Sequence, residues 1–231
     1  MKHRLGDSAL AVVAVLALTT AAIADPGSTD KITFDNATGV AYGDFYVGLY
    51  QGTVNGGPAI TDFICDDFTH DITDGNYWTA AVGSTNPVNG ATVRFGPNDI
   101  TNPDLMLQGK PLVTTVQEDY NMLTYLADQI FADPHNSNRD WGYLSWAIWS
   151  INSDAWNSSN YTTDVRAFVA DALDHKDDNN GNLIVYTPTD GQPGQEFFGQ
   201  DPVSEPASMV LFGTFLALAI GWLAGKKLPS A

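Results

Sequence analysis

Nothing limits the folding of this chain more than the stretch from Ala207 to Gly225, 19 residues without a charged side chain. As an α-helix it would measure roughly 28 Å at about 1.5 Å of rise per residue, enough to cross a bilayer's hydrocarbon core. Ser204-Glu205-Pro206 punctuates its start, and Lys226-Lys227 follows its end. A basic pair flanking a span favours the cytoplasmic side. The pattern predicts a transmembrane helix over 207–225 inside a tail of 204–231. A second apolar run has other dimensions. Lys2, His3 and Arg4 make a basic start, Asp7 interrupts it, and Ala9–Ala22 is apolar over 14 residues before the small-x-small Ala22-Ile23-Ala24. That order and size read as a secretory signal peptide over 1–24, cut after Ala24 so that the mature chain begins at Asp25. Soluble folding is left to about 25–203.

A Glu-Pro break, one short span and a basic stub resemble the PEP-CTERM sorting tail of exported Gram-negative proteins. In this chain the motif reads Ser204-Glu205-Pro206 where the family has Pro-Glu-Pro, and Lys226 and Lys227 stand where Arg is commoner. The resemblance covers about Val203 to Lys227. It implies an exosortase-type processing enzyme as partner, transient inner-membrane anchoring, and delivery to the cell surface or an extracellular polysaccharide matrix. The plainer alternative is a permanent tail anchor.

Residues 25–205 hold 26 of the 27 acidic side chains and six of the ten basic ones, a net charge of −20. A basic footprint is what phosphate backbones need, so nucleic acid is excluded as a partner. An acidic surface stays soluble and self-repelling outside the cell and attracts divalent cations, which leaves Ca²⁺ as the one inorganic partner in view. Cys65 is the only cysteine, so no internal disulfide forms and the body rests on its core.

Along the body the texture changes twice. Ile32–Phe34, Tyr42–Tyr50, Ala59–Ile64 and Tyr77–Val82 are short β-branched and aromatic runs. Asn55–Pro58, Asp74-Gly75-Asn76 and Asn89-Gly90 supply turn chemistry between or after them. From Thr115 the period becomes helical, opened by a Thr115-x-x-Glu118 capping box, with Val116, Tyr120, Leu123, Ala127, Ile130 and Phe131 on one stripe. A second helix over Arg139–Ile151 is apolar nearly all round, which predicts burial. A third runs from Thr163 to His175 with Val165, Phe168, Val169, Ala172 and Leu173 inward. After a polar turn at Asp177–Asn182, Leu183–Tyr186 and Gln195–Phe198 read as closing strands. The order predicts an α+β domain, a β-rich barrel or sandwich shell with about three inserted helices.

Two stretches carry a second resemblance. Asp62–Phe68, containing Cys65-Asp66-Asp67, and Leu144-Ser145-Trp146-Ala147-Ile148-Trp149 resemble the layout of surface thioester domains. Those adhesins join a strand cysteine to a helical glutamine, in a Gln-x-Ala-Ile-Trp context, as an internal thioester that captures host nucleophiles. Ser145 stands at the glutamine's position, and a hydroxyl brings no acyl carbon. The resemblance therefore implies a shared scaffold without the bond. Read on its own, Cys65 is a small buried hydrophobe at a strand end, a free thiol.

Other chemistry is sparse. His70, His135 and His175 have no His or Cys at zinc-ligand spacing. Ser145 lies outside any Gly-x-Ser-x-Gly elbow. Asp66 and Asp67 are adjacent on extended chain and so point to opposite faces, which denies them one substrate. Counting back from Gly181 puts Lys176 where an EF-hand needs its first carboxylate. Trp141, Trp146, Trp149 and Trp156 crowd one helix and its exit, which reads as core ahead of a sugar platform. The sequence leads to a non-enzymatic exported surface or matrix protein, structural or adhesive. Its rivals are a hydrolase of extracellular polymer, which would need convergent carboxylates, and a covalent thioester adhesin.

Overall fold

The computed structural model describes residues 28–200 except 38–39, 58, 71, 74, 134–137, 179–180, 182 and 190–193. The expected signal peptide, its Ala22 and Ala24, the sorting motif and the span at 207–225 lie outside the described residues. Among the described residues no helix is long and apolar enough to cross a membrane.

Six antiparallel strands close into a barrel. These are β1 (Thr29–Ala37), β4 (Tyr50–Val54), β5 (Ala59–Cys65), β10 (Phe197–Gln200), β9 (Leu183–Pro188) and β6 (Tyr77–Ser84), hydrogen-bonded in that order, with β6 returning to β1. Two further two-stranded pieces stand apart: β2 (Val40–Tyr42) with β3 (Phe45–Val47), and β7 (Met106–Leu107) with β8 (Lys110–Pro111). Three helices follow the first eight strands: α1 (Val116–Ala132), α2 (Asn138–Asn152) and α3 (Thr163–Asp174). The β-rich α+β reading therefore holds, and the shell is a barrel.

Strand period explains how one barrel serves two cores. Phe63 and Cys65 of β5, Ile184 and Tyr186 of β9, and Phe197 of β10 face inward, where Ile32, Phe34, Tyr50 and Trp78 meet them. Their neighbours Ile64, Leu183, Val185 and Phe198 face outward and pack under the helices. Successive strand side chains alternate faces, so strands covered on both sides become apolar throughout. β9 is buried at every position.

The helices form where the sequence places them. Thr115 caps α1 by accepting from the Glu118 amide at 3.1 Å, while Glu118 reaches back to the Thr115 amide at 3.1 Å. Tyr120, Leu123, Ala127, Ile130 and Phe131 are buried as the stripe requires. α2 is buried from Trp141 to Asn152, with Trp146 fully enclosed. Trp156 donates its indole N–H to Thr101 at 3.1 Å. Thr162 caps α3, and Val165, Val169 and Ala172 face in.

Two strand expectations need correction. The run Tyr42–Tyr50 is not one strand: it holds the end of β2, all of β3 and the start of β4. Gly43 and Gly48, at φ +64° and +87°, turn the chain where a continuous strand would need extended backbone. A Cβ on Gly48 would also lie 2.3 Å from the Trp141 ring, so the hairpin's exit is tailored to α2. The last strand is displaced by two residues, to Phe197–Gln200, and Gln195 lies ahead of it. Between β6 and α1 the chain makes a 3₁₀ turn at Pro103–Leu105 and the β7–β8 hairpin, features with no periodic signal.

Candidate functional site

Polar chemistry gathers at one end of the barrel. There β5 ends at Cys65 and the chain continues into Asp66-Asp67, β9 presents Thr187 near its end, β10 is entered through Gln195-Glu196, and α1 and α2 pack across. Phe197 pairs with Cys65, and the Asp66 amide donates to the Glu196 carbonyl at 3.4 Å.

The cysteine behaves as its surroundings dictate. Its Sγ donates to the Asp67 carbonyl at 3.2 Å, and its own carbonyl accepts the Trp149 indole N–H at 2.9 Å. Burial pushes the thiol well above the ordinary cysteine range, and the nearby Asp66 adds to that. Such a thiol stays protonated and is a poor nucleophile. Ser145 lies one turn before Trp149 on the same helix. Its hydroxyl oxygen accepts from the Gly48 amide at 3.1 Å, so the thiol and the hydroxyl singled out from sequence are each held by backbone.

The two adjacent aspartates part company, as extended chain requires. Asp67 is buried and ion-paired to Arg94, with His70 Nδ1 at 2.9 Å from Oδ2 and Thr69 donating to Oδ1 from both its amide and hydroxyl, at 3.0 and 2.7 Å. Arg94 also donates twice to the Gly194 carbonyl, each at 3.3 Å. Asp66 turns to the other side, against Glu196.

Glu196 collects three donors: the Tyr120 hydroxyl at 2.5 Å on Oε1, and on Oε2 the Arg94 amide at 2.8 Å and the Thr187 hydroxyl. Neither carboxyl oxygen of Asp66 has a donor among the described residues, although the group is 1% exposed. Burial raises its pKa well above the carboxylate range, and the contact with Glu196 raises it further. Asp119, on α1 beside Tyr120, is fully buried. One oxygen accepts from Asn152 at 3.2 Å and the other has no partner. Burial pushes it up to about 7.

The remaining histidines stand apart. His175 stacks on Tyr125 with ring centroids 4.0 Å apart, and Nδ1 meets the Asp171 carbonyl at 2.8 Å. His135 lies outside the described residues. In the turn after α3, Lys176 pairs with Glu118 at 2.9 Å and Asp177 at 3.3 Å. Among the described residues no group of three or more His, Cys, Asp or Glu could hold a metal ion.

Glu196, Arg94, Tyr120, Asp119 and Gln195 belong to this site without having been singled out from sequence. One signal pointed to Glu196. The chain has three glutamates, of which Glu118 sits in the capping box and Glu205 in the tail, while Glu196 precedes Phe197-Phe198 in a buried strand. Gln195 is the glutamine that folding brings near the thiol: its Nε2 donates at 3.0 Å to the same Asp67 carbonyl that Sγ uses. No local pattern marks it.

No family model matches this sequence, and no curated protein matches it. Among solved structures it is similar to the N-terminal thioester domain of a surface protein from Clostridium perfringens. The two are 13% identical with a TM-score of 0.39, over 74% of this chain and 98% of that chain.

Proposed function

We propose that this chain is an exported surface or matrix protein, processed by an exosortase-type enzyme, with a structural or adhesive body that performs no catalysis. The observation that carries the reading is the combination of a basic, apolar and small-residue segment at 2–24 with the Ser204-Glu205-Pro206 break, the uncharged run and Lys226-Lys227. On this reading the tail holds the protein in the inner membrane until cleavage near Glu205-Pro206, and the acidic body then enters an extracellular polysaccharide layer. The chemistry at the barrel's end supports a non-enzymatic role. Asp67 is neutralised by Arg94, Glu196 is saturated with donors, the thiol is capped and sheltered, and Ser145 is bound by Gly48. Those four groups are held by other groups of the chain, and Asp66 and Asp119, which keep oxygens without donors, are buried.

C-terminal peptide mapping of surface material tests the reading in a strain that carries an exosortase. The released protein should end near residue 205. Recovery of peptides spanning Trp222 to Lys226 from released protein would overturn it.

A further inference from the structure

The barrel's end poses a problem of donors and acceptors. Four carboxyl groups are shut away there: Asp66, Asp67, Asp119 and Glu196, each 1% exposed or less. Among the described residues Arg94 is the arginine or lysine that reaches them, and it is committed to Asp67. Glu196 accepts three hydrogen bonds, so both of its oxygens already have donors. Asp66 faces it with two oxygens and no donor, and Asp119 has a second oxygen with none. A buried carboxylate without a donor loses its hydration and gains nothing in return, whereas the neutral acid supplies its own O–H. With no group of three ligands placed to hold a metal among the described residues, protons are the available remedy.

We infer that this joint between barrel and helical layer is a proton-held latch, closed by neutral Asp66 and Asp119 and loosened by a rise in pH. Asp66 is the hydrogen donor to Glu196 in the closed form, which ties the end of β5 to the approach of β10. Glu196 in turn holds Tyr120 of α1 and Thr187 of β9. Asp119 ties α1 to Asn152 of α2. Losing either proton leaves a buried charge on oxygens that have no donor, at a joint shared by three elements.

The groups facing the latch come from each packed element. Asp66 meets Glu196 ahead of β10, Arg94 after β6, Cys65 on β5 and Tyr120 on α1. Asp119 meets Asn152 on α2, Asp99 in the loop before α1, and Glu196. Arg94 is the one group that favours ionisation of Asp66 through its charge, and the other charged neighbours oppose it. A carboxyl raised on folding contributes its stability in full below the unfolded value, ~4. That contribution drains away as pH climbs toward the folded value, which for Asp119 is about 7. Asp66, raised in the same sense, adds to the loss over that window.

The test is urea unfolding of the full chain in mild detergent between pH 5 and 8, above the surface carboxylates and below the thiol and tyrosines. Each retained proton changes the folded-to-unfolded ratio about tenfold per pH unit. The parent should lose up to about a hundredfold per unit near pH 5–7, Asp66→Asn or Asp119→Asn about tenfold, and the double variant almost none. Asparagine keeps the shape of the neutral acid and removes the proton. A second measurement stands whether or not the variants fold: infrared spectra of the folded parent at pH 6 should show a protonated-carboxyl band. A flat parent profile, an undiminished slope in the double variant, or absence of that band would overturn the latch.

Discussion

Inside the barrel, Trp78 stacks on Phe197 at 5.6 Å between ring centroids, and Phe63 meets Phe197 and Tyr186 at 5.8 and 5.6 Å. One residue beyond the same strands, Asp66 and Glu196 are just as thoroughly buried and carry carboxyl groups. The two regions follow different rules. The barrel interior is held by apolar area and ring contact, where each residue adds its own increment and neighbours can be exchanged for others of like size. The barrel's end is held by reciprocal satisfaction, where removing one partner leaves another buried and unpaired. Substitutions should therefore be graded by volume in one region and by the identity of the orphaned group in the other.

The largest loss should come where both rules apply. Trp149 is buried in the helical layer and donates to the Cys65 carbonyl. Trp149→Ala should cost about 3–5 kcal/mol for the deleted aromatic. The orphaned carbonyl should take it to the top of that range or beyond. Trp149→Phe should recover most of the packing and leave the hydrogen bond missing, so chemical unfolding of the two variants separates the contributions. A Trp149→Ala variant that melts with the parent would make α2 a surface feature and revive the sugar-platform reading of its tryptophans.

Arg94→Met should cost about 3 kcal/mol, because it strands Asp67 as a buried charge. Here the comparison sharpens: adding Asp67→Asn to that variant should restore most of the loss, since the group left behind is then neutral. Two independent penalties that simply add would show that Arg94 acts by packing, and that the barrel's end obeys the same rule as its interior.

These two regions also differed in how legible they were. β-branched and aromatic runs marked Ala59–Ile64 and Leu183–Tyr186 as strands, and the helical stripe marked Tyr120 and Leu123, because burial on a helix repeats with its period. The break in Tyr42–Tyr50 was carried by Gly43 and Gly48, whose left-handed backbone outweighed an otherwise strand-like composition. The polar joint had no period to read. Asp66, Arg94, Asp119 and Glu196 are joined across up to 130 residues by topology alone, and single acids in an acid-rich chain look alike. Even Glu196, conspicuous among aromatics, announced a buried acid without naming Tyr120 or Thr187 as its partners.

A smaller effect belongs to the edge of the helical layer. Thr115→Ala removes the acceptor for the Glu118 amide at an exposed helix start, and should cost about 1 kcal/mol by thermal unfolding. A cost near that of Arg94→Met would mean that α1's entry is coupled to the polar joint through Asp119 and Tyr120, one and two residues past Glu118.

The smallest expected effect concerns the one residue that belongs to both regions. Cys65 points its side chain into the barrel's apolar core while its thiol and carbonyl bond to groups at the barrel's end. If the interior's rule governs it, Cys65→Ala costs only a small side chain's packing and intact mass shows one unmodified thiol. Denatured protein should then take up one equivalent of a thiol reagent, and folded protein should react slowly, because the thiol is buried and protonated. If the end's rule governs it, Sγ has a covalent partner, and the nearby carboxamide is Gln195 rather than any group on α2. Thiol attack on that amide would release ammonia and lower the mass by about 17 Da, a deficit that Cys65→Ala and Gln195→Ala would each abolish. The donor geometry argues for the first outcome: the thiol hydrogen and the Gln195 amide both point to the Asp67 carbonyl, so each is satisfied by backbone and neither needs the other.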